Sequence, residues 1–404
     1  MKTVSGGVCA AKGFRANGIH CGIRKNKEKK DLSLIVSDVP AATAAVYTTN
    51  LVQGAPIAVN KRHLKNGVSR GVVCNSGIAN TCAAGGEELA EEMARCAAEA
   101  LGVDEKDMLV ASTGVIGPSL SMEPIRAGMP ALVAGLSENG SESAARGIMT
   151  TDTRVKEVAV EFTLGDKVCR IGGIAKGSGM IHPNMATMLV FITTDAAISS
   201  AMLQKALSGD VKNTFNMLSI DGDTSTNDMV VVMANGRALN RPILRDGADY
   251  RMFMQALNTV TVALCRRIAA DGEGATKLLE CVVSGGSEPA VAKAVAKSVI
   301  CSSLLKAAMF GADANWGRVL CAIGYAGVPV DVKKIDVAFR SDAGTVEVCK
   351  NGAGIEFSEE EAKKILLRDE IEILVSLNDG DAAATAWGCD LTYDYVKING
   401  DYRT

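Results

Sequence analysis

Apolar and polar positions alternate along the chain so as to divide it into short strands, polar turns and a few amphipathic helices. Leu32–Val36 and Ala44–Thr48 read as strand-like segments parted by turns. Gly71–Cys74 is a short apolar run that empties into a polar, small-residue loop, Asn75–Asn80. Leu89, Met93, Cys96, Ala97 and Ala100 recur at helical spacing and predict a helix over 86–101, ended by Gly102. Met108–Ala111 is another strand, and it delivers the turn Ser112–Pro118, where Thr113 and Gly114 offer a hydroxyl and a bare N–H. A plain turn is an equally good reading of that tripeptide.

Runs over 155–163 and 167–174 form a hairpin pattern around Gly165 and Asp166. A strand over 188–194 and a helix over 199–208 follow. The acidic, hydroxyl-rich stretch Asp221–Asp228 leads into the apolar run Met229–Met233. It lacks the closing glutamate of a calcium loop, so its Asp and Thr side chains are expected to fix a tight turn and brace a site. A long helix over 248–270 ends at Asp271–Thr276, where Glu273 sits between two glycines. Another helix is expected over 288–300, then Phe310–Arg318 and a buried strand. The last third reads as alternating strands plus one helix, begun by a capping box of Ser358 and Glu361. Strand–helix layering on both sides of residue 187 predicts a layered α/β (α+β) protein with at least two lobes.

Composition narrows the class. The chain has 404 residues, 48% hydrophobic and 22% charged, as a packed globule requires. A net charge of −3 supplies no field for nucleic acid or anionic membrane. No apolar run reaches the roughly 18 residues of a membrane span, and the N-terminus lacks the apolar core of a signal peptide. Twelve scattered cysteines with no C-x-x-C pair argue against a disulfide scaffold or a zinc site. Most, Cys281 and Cys321 among them, are expected to be small buried hydrophobes in a reducing, cytoplasmic compartment. The three histidines, His20, His63 and His182, are too few and too spread for a metal centre, and His182 is expected to orient a loop.

The most informative stretch runs from Lys176 to Val190. Gly177 and Gly179 make its backbone pliable, Pro183 restricts it, and Ala186-Thr187 then opens an apolar strand. A threonine so placed can attack the preceding carbonyl and become a new N-terminus, with its hydroxyl as nucleophile and its freed amine as adjacent base. An ordinary loop before a strand is the bland alternative.

These segments resemble the ornithine acetyltransferase family, also called glutamate N-acetyltransferase, of arginine biosynthesis. The resemblance rests on Thr48–Asn50, Ser112–Gly114, Thr150–Thr153, Lys176–Thr187, Asp221–Asp228, Phe310–Arg318 and Asn399–Thr404, and covers nearly the whole chain. Two departures are Ile78, where a polar residue is expected, and Arg154-Val155 after the TTDT segment. The resemblance implies autocleavage between Ala186 and Thr187, giving chains 1–186 and 187–404 that stay associated. It implies that Thr187 carries the acetyl group and that Thr113 and Gly114 form the oxyanion hole. Thr150, Lys176, Thr187, Glu273, Asn399 and Thr404 would line the substrate site. The substrates would be N2-acetyl-L-ornithine and L-glutamate, with no metal and no resident cofactor. The assembly would be a heterotetramer of two alpha and two beta chains. Whether acetyl-CoA is a second acetyl donor stays open. So do two rivals, a self-activated amidohydrolase or aminopeptidase and a non-catalytic small-molecule binding protein.

Overall fold

The computed structural model describes residues 1–182 and 188–401. The chain divides into two compact units. One comprises Met1–Gly177, Asn184–Lys212 and Thr224–Leu264; the other comprises Ser178–Pro183, Asn213–Asp223 and Cys265–Thr404.

The first unit is built on a nine-stranded mixed sheet. Its spatial order is Lys2–Val4, Lys156–Leu164, Lys167–Lys176, Leu189–Thr194, Met229–Ala234, Leu32–Tyr47, Val68–Asn75 and Met108–Ser112, with Phe14–Ile19 paired to Leu32–Tyr47. Leu189–Thr194 and Met229–Ala234 run parallel, as do Val68–Asn75 and Met108–Ser112. Both faces are covered, which explains the continuous apolar runs of these strands. Successive residues point to opposite faces. Leu34, Val73 and Val110 therefore enter one core, with Met93 and Ala97 of the helix Gly86–Leu101 and Ile125 of the helix Glu123–Ala134. Ile35, Val72 and Leu109 enter the other, with Phe191, Val231 and Ala144.

The second unit holds a six-stranded sheet in the order Ala353–Gly354, Gly344–Lys350, Asp336–Ser341, Glu370–Ser376, Leu278–Gly286 and Ala382–Cys389. Leu278–Gly286 lies one in from the edge, parallel to Glu370–Ser376 and antiparallel to the edge strand Ala382–Cys389. The helix Pro289–Cys301 buries Val291, Val295 and Val299. Among the described residues no helix is long and apolar enough to cross a membrane.

The layered mixed α/β class is as expected, and four local readings need correction. Leu32–Tyr47 is one strand, not two; its register breaks between Val36 and Ala41, a bulge that the polar residues there made look like a turn. The expected strand after Arg318 is the helix Trp316–Gly324, capped by the Asn315 side chain, which accepts from the Arg318 N–H. Its buried Val319, Ala322 and Ile323 follow helical spacing, which leaves Cys321 exposed rather than buried. The inner face of Gly86–Leu101 is Ala90, Met93, Ala94, Ala97 and Ala98, so Ala100 faces out. The last third carries a second helix, Tyr393–Asp401, beyond Glu359–Leu366, whose Ser358 cap accepts from the Glu361 N–H.

Candidate active site

In the first unit the turn after Met108–Ser112 is held in one conformation. The Thr113 N–H donates to the Asn75 carbonyl at 3.0 Å, extending the parallel pairing in which Asn75 faces Ser112. Gly114 then takes φ +126°, and a Cβ on it would lie 2.2 Å from the Gly77 carbonyl oxygen. Only glycine fits, for conformation and for space. Among the described residues the Gly114 N–H meets no acceptor. A backbone donor held open beside a hydroxyl is the geometry of an anion-receiving pair.

Buried side chains brace this turn from two sides. Asn75 accepts from the N–H groups of Gly77 and Ile78 at 3.2 and 3.1 Å and donates to the Ser112 hydroxyl at 2.7 Å. Asn227 donates to the Ala79 carbonyl and, at 3.0 Å, to the Ser112 carbonyl, while accepting from the Thr81 hydroxyl at 2.6 Å. Asn227, in the latter half of Asp221–Asp228, thus ties the Asn75–Thr81 loop to the strand end, where the Asp and Thr side chains of that stretch were the ones expected to brace.

Lys176 closes the strand Lys167–Lys176 and is buried. Its ammonium lies 3.4 Å from the Thr113 hydroxyl oxygen. An ammonium only donates, so the Thr113 hydroxyl accepts from it and keeps its own proton for another acceptor. Two carboxyls face Lys176 with opposite outcomes. Asp152 is fully buried, which alone would raise its pKa; Lys156 at 2.6 Å, Lys176 and the Gly177 N–H at 2.8 Å instead hold it down at about 2. The same carboxylate accepts the Thr150 N–H at 3.0 Å, which fixes that expected substrate residue. Asp228 is also buried, and burial pushes it well above the usual carboxylate range despite the Ser225 hydroxyl and Lys176. Its Oδ2 has no hydrogen-bond partner among the described residues. Burial thus acts on both carboxyls beside Lys176, and only at Asp152 do the neighbouring cations and the Gly177 N–H overcome it. Asp152, Lys156, Asn227 and Asp228 were not singled out from sequence; only the Thr150–Thr153 and Asp221–Asp228 motifs pointed their way.

The second unit holds a separate group of side chains. The Glu273 N–H donates to the Ser178 carbonyl at 2.9 Å, and its carboxylate packs on Gly179, where a Cβ would lie 2.3 Å from Oε2. Asn399 donates to that same Oε2 at 2.7 Å. Asp221 accepts from the N–H groups of Met180 and Ile181 at 2.6 and 2.8 Å. His182 contacts the Ser219 hydroxyl at 3.0 Å and the Cys301 sulfur at 3.5 Å. Burial and the nearby Lys297 lower its pKa to about 4, so it is neutral at pH 7, as a loop-orienting histidine would be. Thr113, Gly114, Thr150 and Lys176 thus meet in one unit, and Glu273 and Asn399 meet in the other. Ala186, Thr187 and Thr404 lie outside the described residues.

Fold and site together define a layered mixed α/β protein whose strand ends present a rigid hydroxyl and N–H pair beside a buried cation. The sequence model of the ArgJ family matches residues 15–404. The chain belongs to that family. The arginine biosynthesis bifunctional protein ArgJ of Caldanaerobacter subterraneus subsp. tengcongensis is 48% identical over 405 residues, with 100% of each protein covered. The ArgJ 1 protein of Clostridium acetobutylicum is 49% identical, over 97% of this chain and 96% of that one. A crystal structure of ArgJ from Bacillus halodurans is 47% identical with a TM-score of 0.50, covering 53% of this chain and 98% of that chain.

The two carboxyls facing Lys176 predict opposite pH effects on stability. Asp152 is depressed below the unfolded value of about 3.9, so its stabilisation is present above that value and lost as pH falls towards 2. Asp228 is raised, so the unfolded chain ionises first and stability declines as pH rises from about 4. Urea titrations across pH should show Asp228→Asn abolishing its share of the alkaline-side decline and Asp152→Asn its share of the acid-side decline. Identical pH slopes for wild type and both variants would contradict these assignments.

Proposed function

We propose that this chain is a self-cleaving acetyltransferase that moves the acetyl group of N2-acetyl-L-ornithine to L-glutamate, giving L-ornithine and N-acetyl-L-glutamate. One observation carries the site assignment: the Gly114 N–H, without an acceptor among the described residues, adjoins the Thr113 hydroxyl, which accepts from Lys176 and keeps its own proton. Membership of the ArgJ family over residues 15–404, with relatives named as bifunctional enzymes of arginine biosynthesis, supports the reaction. It favours a transferase over a hydrolase or a plain binding protein.

In this reading Thr187 attacks the Ala186 carbonyl, and the chain becomes fragments 1–186 and 187–404. Strand Leu189–Thr194 pairs with Lys167–Lys176 on one side and Met229–Ala234 on the other, so a cut just before it leaves the sheet hydrogen bonds intact. That explains why the fragments would stay together. The Bacillus halodurans chain is about half as long as this one, as one processed fragment would be, which also supports cleavage.

The mature Thr187 hydroxyl then attacks the acetyl carbonyl of acetylornithine, and its own amine accepts the proton. Negative charge on the carbonyl oxygen is received by the Gly114 N–H and the Thr113 hydroxyl, each such donor being worth about 3 kcal/mol of barrier. Lys176 takes a substrate carboxylate, and Glu273, oriented by Asn399, takes an ammonium. Thr150 and Thr404 complete the substrate contacts. Ornithine leaves, and the glutamate amine collects the acetyl group from Thr187. Acetyl-CoA serves as a second acetyl donor to the same threonine. Two alpha and two beta chains form a heterotetramer in the cytoplasm, a compartment consistent with twelve free thiols.

Two outcomes check this. Processing of the 42.1 kDa chain should give fragments of about 19 and about 23 kDa, by proportion to their lengths, with the larger beginning Thr-Met-Leu-Val. Thr187→Ala should remain one intact band on a denaturing gel; cleavage of that variant at the same bond would refute the mechanism. Separately, Thr113→Ala should still process yet lower kcat roughly 10²–10³-fold with a smaller change in KM, in steady-state assays of acetylglutamate formation. A change confined to KM would make Thr113 a binding residue only.

A further inference from the structure

A loop and a groove next to the oxyanion turn have no part in the chemistry described so far. Residues 24–30 carry Arg24, Lys25, Lys27, Lys29 and Lys30 against Glu28 alone, a local charge of +4 in a chain whose total is −3. The buried Asp31 carboxylate pins the base of this loop, accepting the N–H groups of Cys21, Gly22 and Arg24 at 2.7, 3.2 and 2.9 Å. Three of the cations are spent on the protein. Arg24 donates to the Ser76 carbonyl, Lys29 to the Thr150 carbonyl and Lys30 to the Ser143 hydroxyl. Lys25 and Lys27 are exposed, with no partner among the described residues.

The loop is joined to the oxyanion turn by direct packing. Ile23 lies against Gly77, where a Cβ would be 2.3 Å from Ile23 Cγ2, and Gly77 in turn packs on Gly114. Beside this contact opens a cavity of about 510 Å³, with Gly22, Ile23, Ile78, Ser119 and Ser121 on its walls and Glu123 its one charged lining residue. That volume is in the range of small-molecule sites. Ile78, the apolar departure from the expected loop sequence, is part of its wall.

We propose that this groove and the tip of the basic loop dock the coenzyme portion of acetyl-CoA. The phosphates lie on Lys25 and Lys27, the neutral pantetheine arm follows the Ile23, Ile78 and Ser121 wall, and the thioester reaches the Thr113–Gly114 turn. The placement rests on the reading of acetyl-CoA as second donor. A long ligand with anionic phosphates at one end and a neutral arm at the other suits a groove whose wall residues Gly22 and Ile23 lead along the chain to the exposed Lys25 and Lys27, and whose Ile78 follows Gly77, which packs on Gly114. Acetylornithine has no such tail and needs none of these residues. In the transfer itself, the Thr187 Oγ–acetyl bond forms, the thioester C–S bond breaks, and the hydroxyl proton passes through the α-amine to the departing coenzyme sulfur.

The test compares purified wild type with the double variant Lys25→Glu/Lys27→Glu and with Ser121→Trp, which fills the groove. Initial rates are measured for glutamate with either acetyl-CoA or acetylornithine. Reversing two exposed charges should raise KM for acetyl-CoA on the order of 10-fold. Added salt should raise the wild-type KM for acetyl-CoA while affecting the double variant less. Ser121→Trp should show the same donor selectivity. KM and kcat with acetylornithine, and the two-fragment pattern on a gel, should be unchanged in all variants. An unaltered KM for acetyl-CoA in both variants would overturn the docking site alone. A wild type that turns over acetylornithine but not acetyl-CoA would overturn the proposal one step earlier, by removing the donor.

Discussion

The contact on which the site depends is the approach of the Gly77 carbonyl to Gly114, closer than any side chain would permit. Two parallel strands end side by side, and the loop after the first presses its backbone into the turn after the second. Gly114, at φ +126°, has an N–H that meets no acceptor among the described residues. Asn75 and Asn227 satisfy the backbone groups that such a turn would otherwise strand in the interior, each of which would cost about 1–3 kcal/mol if unpaired. The Thr113–Gly114 pair is thus a property of the sheet, set by the fold itself.

Charge is arranged with the same economy of parts. Asp152 pairs with Lys156 and anchors the Thr150 and Gly177 N–H groups, while burial pushes the Asp228 carboxyl well above the usual carboxylate range. Burial disfavours the ionised form of Asp228, the form that would compete for Lys176.

Legibility from the sequence followed the range of the interactions. The helix over 86–101 and its Gly102 end are local matters of period and capping, and so is the hairpin at Gly165. The strand Leu32–Tyr47 reads as two in sequence because a bulge uses the same polar residues as a turn. The helix Trp316–Gly324 reads as a strand in sequence because the five-residue apolar run Val319–Ile323 has no period to distinguish the two. At the site, Thr113, Gly114 and Lys176 were legible because each sits in a compact motif at a strand end. Asp152 against Gly177, and Asp228 against Lys176, are 25 and 52 positions apart and meet only through folding. Their pKa values depend on burial, which no motif encodes. The same holds for Asn227, whose neighbours Ala79 and Ser112 come from distant parts of the chain.

The central claim is that the acetyl group rests covalently on Thr187 between two half-reactions. Intact-mass analysis of the processed protein after incubation with acetylornithine, in the absence of glutamate, tests it most directly. One acetyl group should appear on the fragment beginning at Thr187, and glutamate should discharge it as acetylglutamate. No added mass on that fragment, together with intersecting rather than parallel double-reciprocal lines, would mean direct transfer in a ternary complex and would leave Thr187 a processing residue only.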